Sequence, residues 1–339
     1  MHQSGQTVKA MELIHTADIS ANPLRLCDRP MPEPGPDQLL VKIHVCGVCR
    51  TDLHVVEGEL TDISLPLIPG HQAVGTVVRA GAWVSERHEG DRVGIAWLQG
   101  TCGACEFCID GRENLCAHAR FTGYRVDGGY AEYAVVPARF AYPIPPVFSD
   151  DEAAPLLCAG IIGYRALRLS GIKPGQRLGL YGFGASAHIA IQIARHWDCE
   201  VYVSSLKVEH QRLAKQLGAV WIGGAADVPP ERLHGSIIFA PSGELVPPAL
   251  RALERGGTLA LAGIHMSPIP TLDYDREVFG ERVIRSVTAN TRQDGLDLLR
   301  EAAAIPIKPR TVRFPLDQAN RALQELKAGA FQGAAVLSI

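Results

Sequence analysis

Residues 177–197 read RLGLYGFGASAHIAIQIARHW, a strand-like run, a glycine turn and a helix-like run in succession. The short apolar run RLGLY predicts a strand, and ASAHIAIQIARHW carries apolar residues at helical spacing. Between them stands Gly182-Phe183-Gly184-Ala185-Ser186-Ala187, a GxGxxA turn. A first glycine permits the tight turn, a second admits a pyrophosphate to the backbone, and a third small residue, here Ala187, lets helix and strand pack closely. The unpaired N–H groups and positive end of the helix would then meet the phosphates. Taken alone, such a turn is equally a glycine-rich βα connection in any sheet protein, so the flanking pattern matters.

Outward from this turn the pattern repeats. EVYVSS (200–205), SIIFA (236–240) and TLALAGI (258–264) predict strands, while QRLAKQLGA (211–219) and ALRALERGG (249–257) predict helices. Strand and helix alternating at this pitch form βαβ units and a doubly wound parallel sheet. At the end of the second strand the chain reads Val203-Ser204-Ser205-Leu206-Lys207, with no acid to bond a ribose 2′-hydroxyl. Ser204 or Ser205 could donate to a 2′-phosphate and Lys207 could supply charge, which favours NADP(H) over NAD; an ordinary surface turn is the alternative.

Upstream, DDEAAPLLCAGIIGYRALRLSG (150–171) predicts a helix, with Ser149, Asp150 and Asp151 available as caps. Earlier still, residues 30–145 are dense in glycine, proline and β-branched residues. QLLVKIHVCGVC (38–49), GTVVRA (75–80), DRVGIAW (91–97) and YAEYAVVP (130–137) predict short strands in a mostly β half. The terminal AAVLSI (334–339) predicts one more strand, and the polar MHQSGQTVKA at the start reads as an unstructured leader.

Composition narrows the function. With 339 residues, 47% hydrophobic and 20% charged, the chain suits two soluble domains. A net charge of −3 gives no reason to expect nucleic acid or an anionic membrane, and no apolar run is long enough for a spanning helix or a signal peptide. A cytoplasmic location is expected. Four of the nine cysteines, Cys102, Cys105, Cys108 and Cys116, follow a C-x2-C-x2-C-x7-C spacing. Four thiolates close a tetrahedral shell around zinc and make the site structural. A bacterial iron–sulfur run would have three residues before the fourth cysteine and a proline after it, whereas here there are seven and Ala117. Cys46-Gly47-Val48-Cys49-Arg50-Thr51-Asp52-Leu53-His54, Pro69-Gly70-His71-Gln72 and Leu157-Cys158-Ala159-Gly160 are also rich in chemistry-bearing residues, but spacing alone does not join them.

The motifs GVCRTDLH, PGHQAVG, the four-cysteine run, PLLCAG and YGFGASAH resemble the zinc alcohol dehydrogenases of the medium-chain dehydrogenase/reductase superfamily, bacterial and yeast type, from about Lys9 to Ile339. The resemblance implies a GroES-like β domain, residues 1–153 and 290–339, with two zinc sites, and a Rossmann domain, 154–289. It implies Cys49, His71 and Cys158 as catalytic zinc ligands, with Cys46 outside the set. It implies Asp52 orienting His71, Trp97 and Ile162 lining the substrate pocket, and Thr51 and His54 relaying the proton. Arg50 would pair with the pyrophosphate, and Ile264 would sit in the apolar part of the site by the cofactor. Two zincs per subunit, NAD(P), a small alcohol or aldehyde substrate, primary aliphatic or aromatic, and a homodimer or homotetramer follow as expectations. The chain departs from the family pattern at Gln72, Ile162 and Ala334, where Glu, Thr and Arg are usual. Alternatives are a polyol dehydrogenase, which typically has an acid where Cys158 stands, a zinc-free quinone reductase, and a non-catalytic dinucleotide-binding regulator.

Overall fold

A computed structural model describes residues 5–224, 227–305 and 307–339, which divide into two compact units. One runs up to Cys158 and takes up Asn290–Ala303 and Lys308–Ile339; the other is built from Ala159–Ala289 and Ala304–Ile307.

The first unit opens with β1 (Thr7–Leu13) antiparallel to β2 (Leu24–Pro30). The expected leader is therefore shorter than its polarity suggested. Val8, Ala10, Met11 and Leu13 are buried, so the chain is already committed to the core by Val8. Residues 1–4 lie outside the described residues. Next come β3 (Gln38–Val48), α1 (Arg50–Glu57), β4 (Ala73–Ala80), β5 (Arg92–Ile95), β6 (Leu98–Gly100), α2 (Glu106–Ile109), β7 (Arg120–Phe121), β8 (Tyr133–Pro137), β9 (Ala141–Pro143) and α3 (Asp150–Pro155). Leu156–Gly160 then form a single wide π turn.

The second unit holds α4 (Ile161–Leu169), β10 (Arg177–Tyr181), α5 (Ala185–His196), β11 (Glu200–Ser204), α6 (Val208–Gln216), β12 (Trp221–Gly223), β13 (Leu233–Ile238), α7 (Val246–Ala252), β14 (Leu253–Leu261) and β15 (Val283–Ser286). Its six strands are all parallel, in the order β12-β11-β10-β13-β14-β15. The order reverses direction beside β10, the switch point at which doubly wound sheets bind their ligands. The helix expected over 249–257 stops at Ala252. Leu253 is already extended (φ −72°, ψ 147°), and the Gly256-Gly257 pair runs inside the strand, with Gly256 at φ +74°.

The chain returns to the first unit through α8 (Arg292–Ala304), β16 (Thr311–Pro315), α9 (Ala319–Ala328) and β17 (Ala334–Ser338). There a seven-stranded sheet runs β16-β17-β3-β4-β5-β9, with β8 also on β3. The long β3 carries three partners and hands its last residues directly to α1. Its inward side chains, Leu39, Val41 and Ile43, join Leu13, Val93, Tyr130 and Leu337 in the core. Among the described residues no helix is long and apolar enough to cross a membrane.

Candidate active site

Three segments converge in the first unit. Cys49 follows β3 as the cap of α1, with an extended backbone (φ −134°, ψ 177°). Its sulfur accepts from Thr51 N at 3.3 Å, while Asp52 Oδ2 reaches back to accept from Cys49 N at 2.9 Å. This reciprocal box satisfies the orphan donors at the helix start and fixes the Cys49 rotamer. His71 precedes β4. Gly70 before it sits at φ +96°, and a Cβ there would meet Tyr130 Cδ1 at 2.3 Å and Cys46 Sγ at 2.9 Å, so only glycine fits. Cys158 arrives on the wide turn after α3. Ser149 caps α3 in a box with Glu152, and Asp150 is gripped by Arg92 Nε at 2.7 Å and His44 Nδ1 at 2.8 Å. Arg313 holds Asp151 through two bonds at 3.0 and 2.7 Å.

His71 Nε2 stands 3.2 Å from Cys49 Sγ and 3.3 Å from Cys158 Sγ, and the three donor atoms lie within 4.8 Å of one another. Around one tetrahedral zinc a thiolate sulfur and an imidazole nitrogen stand about 3.5 Å apart. The donor set thus fits zinc with one position open. His71 Nδ1 donates to Asp52 Oδ1 at 2.9 Å, which fixes the tautomer that presents Nε2. Both side chains are only 1% exposed. A hydrogen bond from the Cys158 thiol holds Cys49 well below the ordinary thiol value, against its burial and with help from His71; the same partnership pushes Cys158 well up. Burial works against a charged His71, and Asp52 with the Cys49 sulfur overcomes it. Cys46, fully buried, has its thiol pushed up chiefly by desolvation and takes no place in the triad. Its sulfur faces the Gly70 and Gly129 Cα positions as packing.

Gln72 is 2% exposed, and its amide nitrogen has no hydrogen-bond partner among the described residues. The Gln72 backbone carbonyl accepts from Gly47 N at 2.9 Å, and Gly47 leaves the side chain room, since a Cβ there would stand 3.0 Å from Gln72 Cβ. Arg50, at the first position of α1, is exposed; Thr51 and His54 are partly buried on the same helix, one turn apart. Trp97 meets the His71 ring edge-on at 4.9 Å. Phe121 and Tyr124 stack on Trp97 at 5.1 and 5.7 Å. Thr122 holds the backbone beneath it, N to Trp97 O at 2.9 Å and Oγ1 to Ala96 O at 2.7 Å. Neither Phe121 nor Tyr124 stood out in the sequence, because no periodicity ties them to Trp97.

The four-cysteine lobe closes as its spacing indicates. Cys102–Cys108, Cys105–Cys108 and Cys102–Cys116 sulfurs stand 3.9, 3.5 and 3.5 Å apart, against about 3.8 Å for two thiolates on one tetrahedral zinc. Backbone N–H groups of Ala104 and Cys105 bring the Cys102 thiol down to about 6. Beside Cys116, buried Glu113 takes Arg292 through N, Nε and Nη2 at 2.8 to 3.0 Å, tying the lobe to α8.

In the second unit the glycine turn has the expected shape. Gly182 sits at φ +86°, and a Cβ there would stand 2.9 Å from Ala240 N. Gly184 begins α5, and a Cβ there would meet nothing within 4 Å: the space before the helix N-terminus is open. Ala187 is fully buried against the sheet. At the end of β11 the Ser204 hydroxyl donates to Gly224 O at 2.7 Å. Its proton is therefore committed to the fold, which removes Ser204 as a donor to a 2′-phosphate in this arrangement. Ser205 is buried, with its carbonyl held by Gln211 Nε2 at 2.7 Å, and Lys207 is exposed at the start of α6. Ile162, the second residue of α4, is partly buried, and Ile264 is 55% exposed.

Residues 35–146 match the family model of the alcohol dehydrogenase GroES-like domain. The chain is 51% identical to a probable alcohol dehydrogenase of Mycobacterium tuberculosis, covering 98% of both chains, and 38% identical to an alcohol dehydrogenase of Geobacillus stearothermophilus, covering 92% and 94%. Among solved structures it resembles a putative zinc-binding dehydrogenase of Sinorhizobium meliloti bound to NADP, with a TM-score of 0.88 at 28% identity over 98% and 100% of the two chains. With the GroES-like unit, the parallel dinucleotide-type sheet and these relatives in agreement, the chain belongs to the zinc-type alcohol dehydrogenases of the medium-chain dehydrogenase/reductase superfamily.

Proposed function

We propose that the protein is an NAD(P)-dependent alcohol dehydrogenase that moves a hydride between a primary aliphatic or aromatic alcohol, or its aldehyde, and the nicotinamide. The observation that carries this reading is the Cys49–His71–Cys158 set, three donors converging with one tetrahedral position left over. Zinc bound there supplies the Lewis acidity that makes an alcohol proton labile near neutral pH, and the dinucleotide supplies the two-electron acceptor. Cys49 and Cys158 hold the metal as thiolates, and Asp52 keeps His71 in the ligating tautomer. Thr51 and His54, one turn apart on α1, offer a hydroxyl and an imidazole to carry the proton outward. Trp97 forms an apolar wall beside the ligands, and its stacking on Phe121 and Tyr124 keeps that wall flat. An aromatic or unbranched side chain suits such a surface.

Cys102, Cys105, Cys108 and Cys116 hold a second, structural zinc, making two per chain. For the dinucleotide, Gly182, Gly184 and Ala187 shape the pyrophosphate turn, Arg50 pairs with phosphate, and Ile264 lies in the apolar part of the cofactor site. Ser205 and Lys207 receive the 2′-phosphate, and the absence of an acid after β11 supports a preference for NADP(H). A homo-oligomer is supported by β15, a sheet edge whose four residues Val283–Ser286 are all exposed. A cytoplasmic location is supported by nine free cysteines, since thiol ligands need a reducing compartment. A panel of ethanol, benzyl alcohol and a polyol, run with NAD and NADP side by side, tests the reading. Turnover of benzyl alcohol supports it, and turnover of the polyol alone overturns it.

A further inference from the structure

The end of α1 returns the chain onto its own histidine. Gly58 ends the helix in the left-handed region at φ +76°, and the next residue donates Glu59 N to His54 O at 2.9 Å. The same turn brings the Glu59 carboxylate onto His54 Nδ1. The imidazole is 16% exposed and the carboxylate 56%, so the pair leads from a mostly buried ring to solvent. The loop beyond is latched at two further points. Tyr124 Oη donates to Thr61 O, and Arg125 stands 3.6 Å from Asp62, which itself sits at φ +62°. Tyr124 is also the ring stacked on Trp97, so the wall of the pocket and the loop carrying Glu59 share a support. His71 has the same construction one shell inward, with Asp52 on its Nδ1.

We propose that Glu59 is a positioning residue of the reaction, and this rests on the reading of His54 as the outer proton carrier. By accepting from Nδ1–H, Glu59 fixes the tautomer that leaves Nε2 unprotonated and able to take a proton. When a proton arrives at Nε2, the Nδ1 proton passes to the Glu59 carboxylate and from there to bulk water, so the imidazole returns to neutral with one proton taken in and one released. Sequence alone hides this partner, because Glu59 lies five residues from His54, off the helix-face spacings of three and four. The Gly58 turn supplies the missing approach.

The test uses the zinc-loaded enzyme with Glu59→Ala and Glu59→Gln, and His54→Gln as reference. Histidine 15N spectra report the tautomer of His54, and kcat and KM for benzyl alcohol report the relay, with and without added imidazole. Glu59→Ala is expected to lose the single Nδ1–H tautomer and about tenfold in kcat at unchanged KM, a part of the 10²–10⁴ that a positioned proton carrier supplies. Added imidazole should recover that loss. Glu59→Gln, whose amide oxygen still accepts from Nδ1–H but cannot take the proton, should keep the tautomer and yet lose kcat to a similar extent, which separates the tautomer from the hand-off. A slow His54→Gln beside a Glu59→Ala with wild-type kcat and an unchanged His54 tautomer overturns the proposal and leaves the relay standing. A His54→Gln enzyme with wild-type kcat overturns both.

Discussion

Replacing Asp52 with Asn changes almost no volume and removes one charge, so its cost can be read from the two bonds that the carboxylate makes. Oδ1 accepts from His71 Nδ1 and Oδ2 from Cys49 N, both at 2.9 Å, in a place where Asp52 is fully buried. An amide has one oxygen. If it faces His71, its NH2 meets the Cys49 N–H; if it faces Cys49, the NH2 meets His71 Nδ1–H. Either way one buried donor is left without an acceptor, which costs about 1–3 kcal/mol. That loss should appear in the thermal stability of metal-free protein, because the capping box exists without metal. A second loss needs the metal. The surviving bond is no longer charge-assisted, and a ligating histidine deprived of its carboxylate typically costs 10–100-fold in metal affinity, about 1.4–2.7 kcal/mol. Zinc affinity measured against a chromogenic chelator separates the two, with the zinc of the four-cysteine lobe as an internal reference that should not move. An Asp52→Asn protein that keeps its more weakly held zinc within twofold of wild type would refute the orienting role of Asp52.

Cys105→Ser opens the closed four-thiolate lobe, where metal binding is folding free energy, and should lower melting temperature and yield, whereas Cys49→Ser should abolish turnover at near wild-type melting temperature. Ser205→Asp should reverse the cofactor preference toward NAD, by repelling the 2′-phosphate and accepting from the free 2′-hydroxyl; kcat/KM for the two cofactors measures it, and a clear NADH preference in the unmodified enzyme contradicts the reading of β11. Glu152 is held below its ordinary 4.5, first by the Ser149 backbone N–H and then by the Ser149 hydroxyl. A depressed carboxylate stabilises the fold above its unfolded value and loses that contribution as pH falls through the folded value. Glu152→Gln should therefore flatten the stability–pH curve below about pH 4.5, as read by urea midpoints between pH 3 and 6.

The second unit was legible because its signal is local. Each βα step carries its own period, and glycine at 182 and 184 marks the turn that a pyrophosphate needs. The four-cysteine lobe was legible for the same reason, with all four cysteines inside fifteen residues. The Cys49–His71–Cys158 cluster was not, since these residues are separated by 22 and 87 positions and meet only through β3, β4 and the turn after α3. There the resemblance supplied what spacing could not. Two local readings failed on physics that sequence composition does not carry. Ser204 looked available beside Ser205, but its hydroxyl is committed to Gly224 across the neighbouring strand end. The run 249–257 looked helical until Gly256 and Gly257 are seen inside β14, where sheet pairing with β13 outweighs the helical preference of its neighbours.

The most direct test of the account ties rate to metal at the Cys49–His71–Cys158 site. Zinc is withdrawn stepwise with a chelator and the NADP-dependent oxidation of benzyl alcohol is followed against zinc per chain. Two zincs are expected at the outset, with a rate that falls to zero as the first one leaves with the fold intact, and recovery in proportion to zinc restored. Undiminished turnover with that site emptied would contradict it.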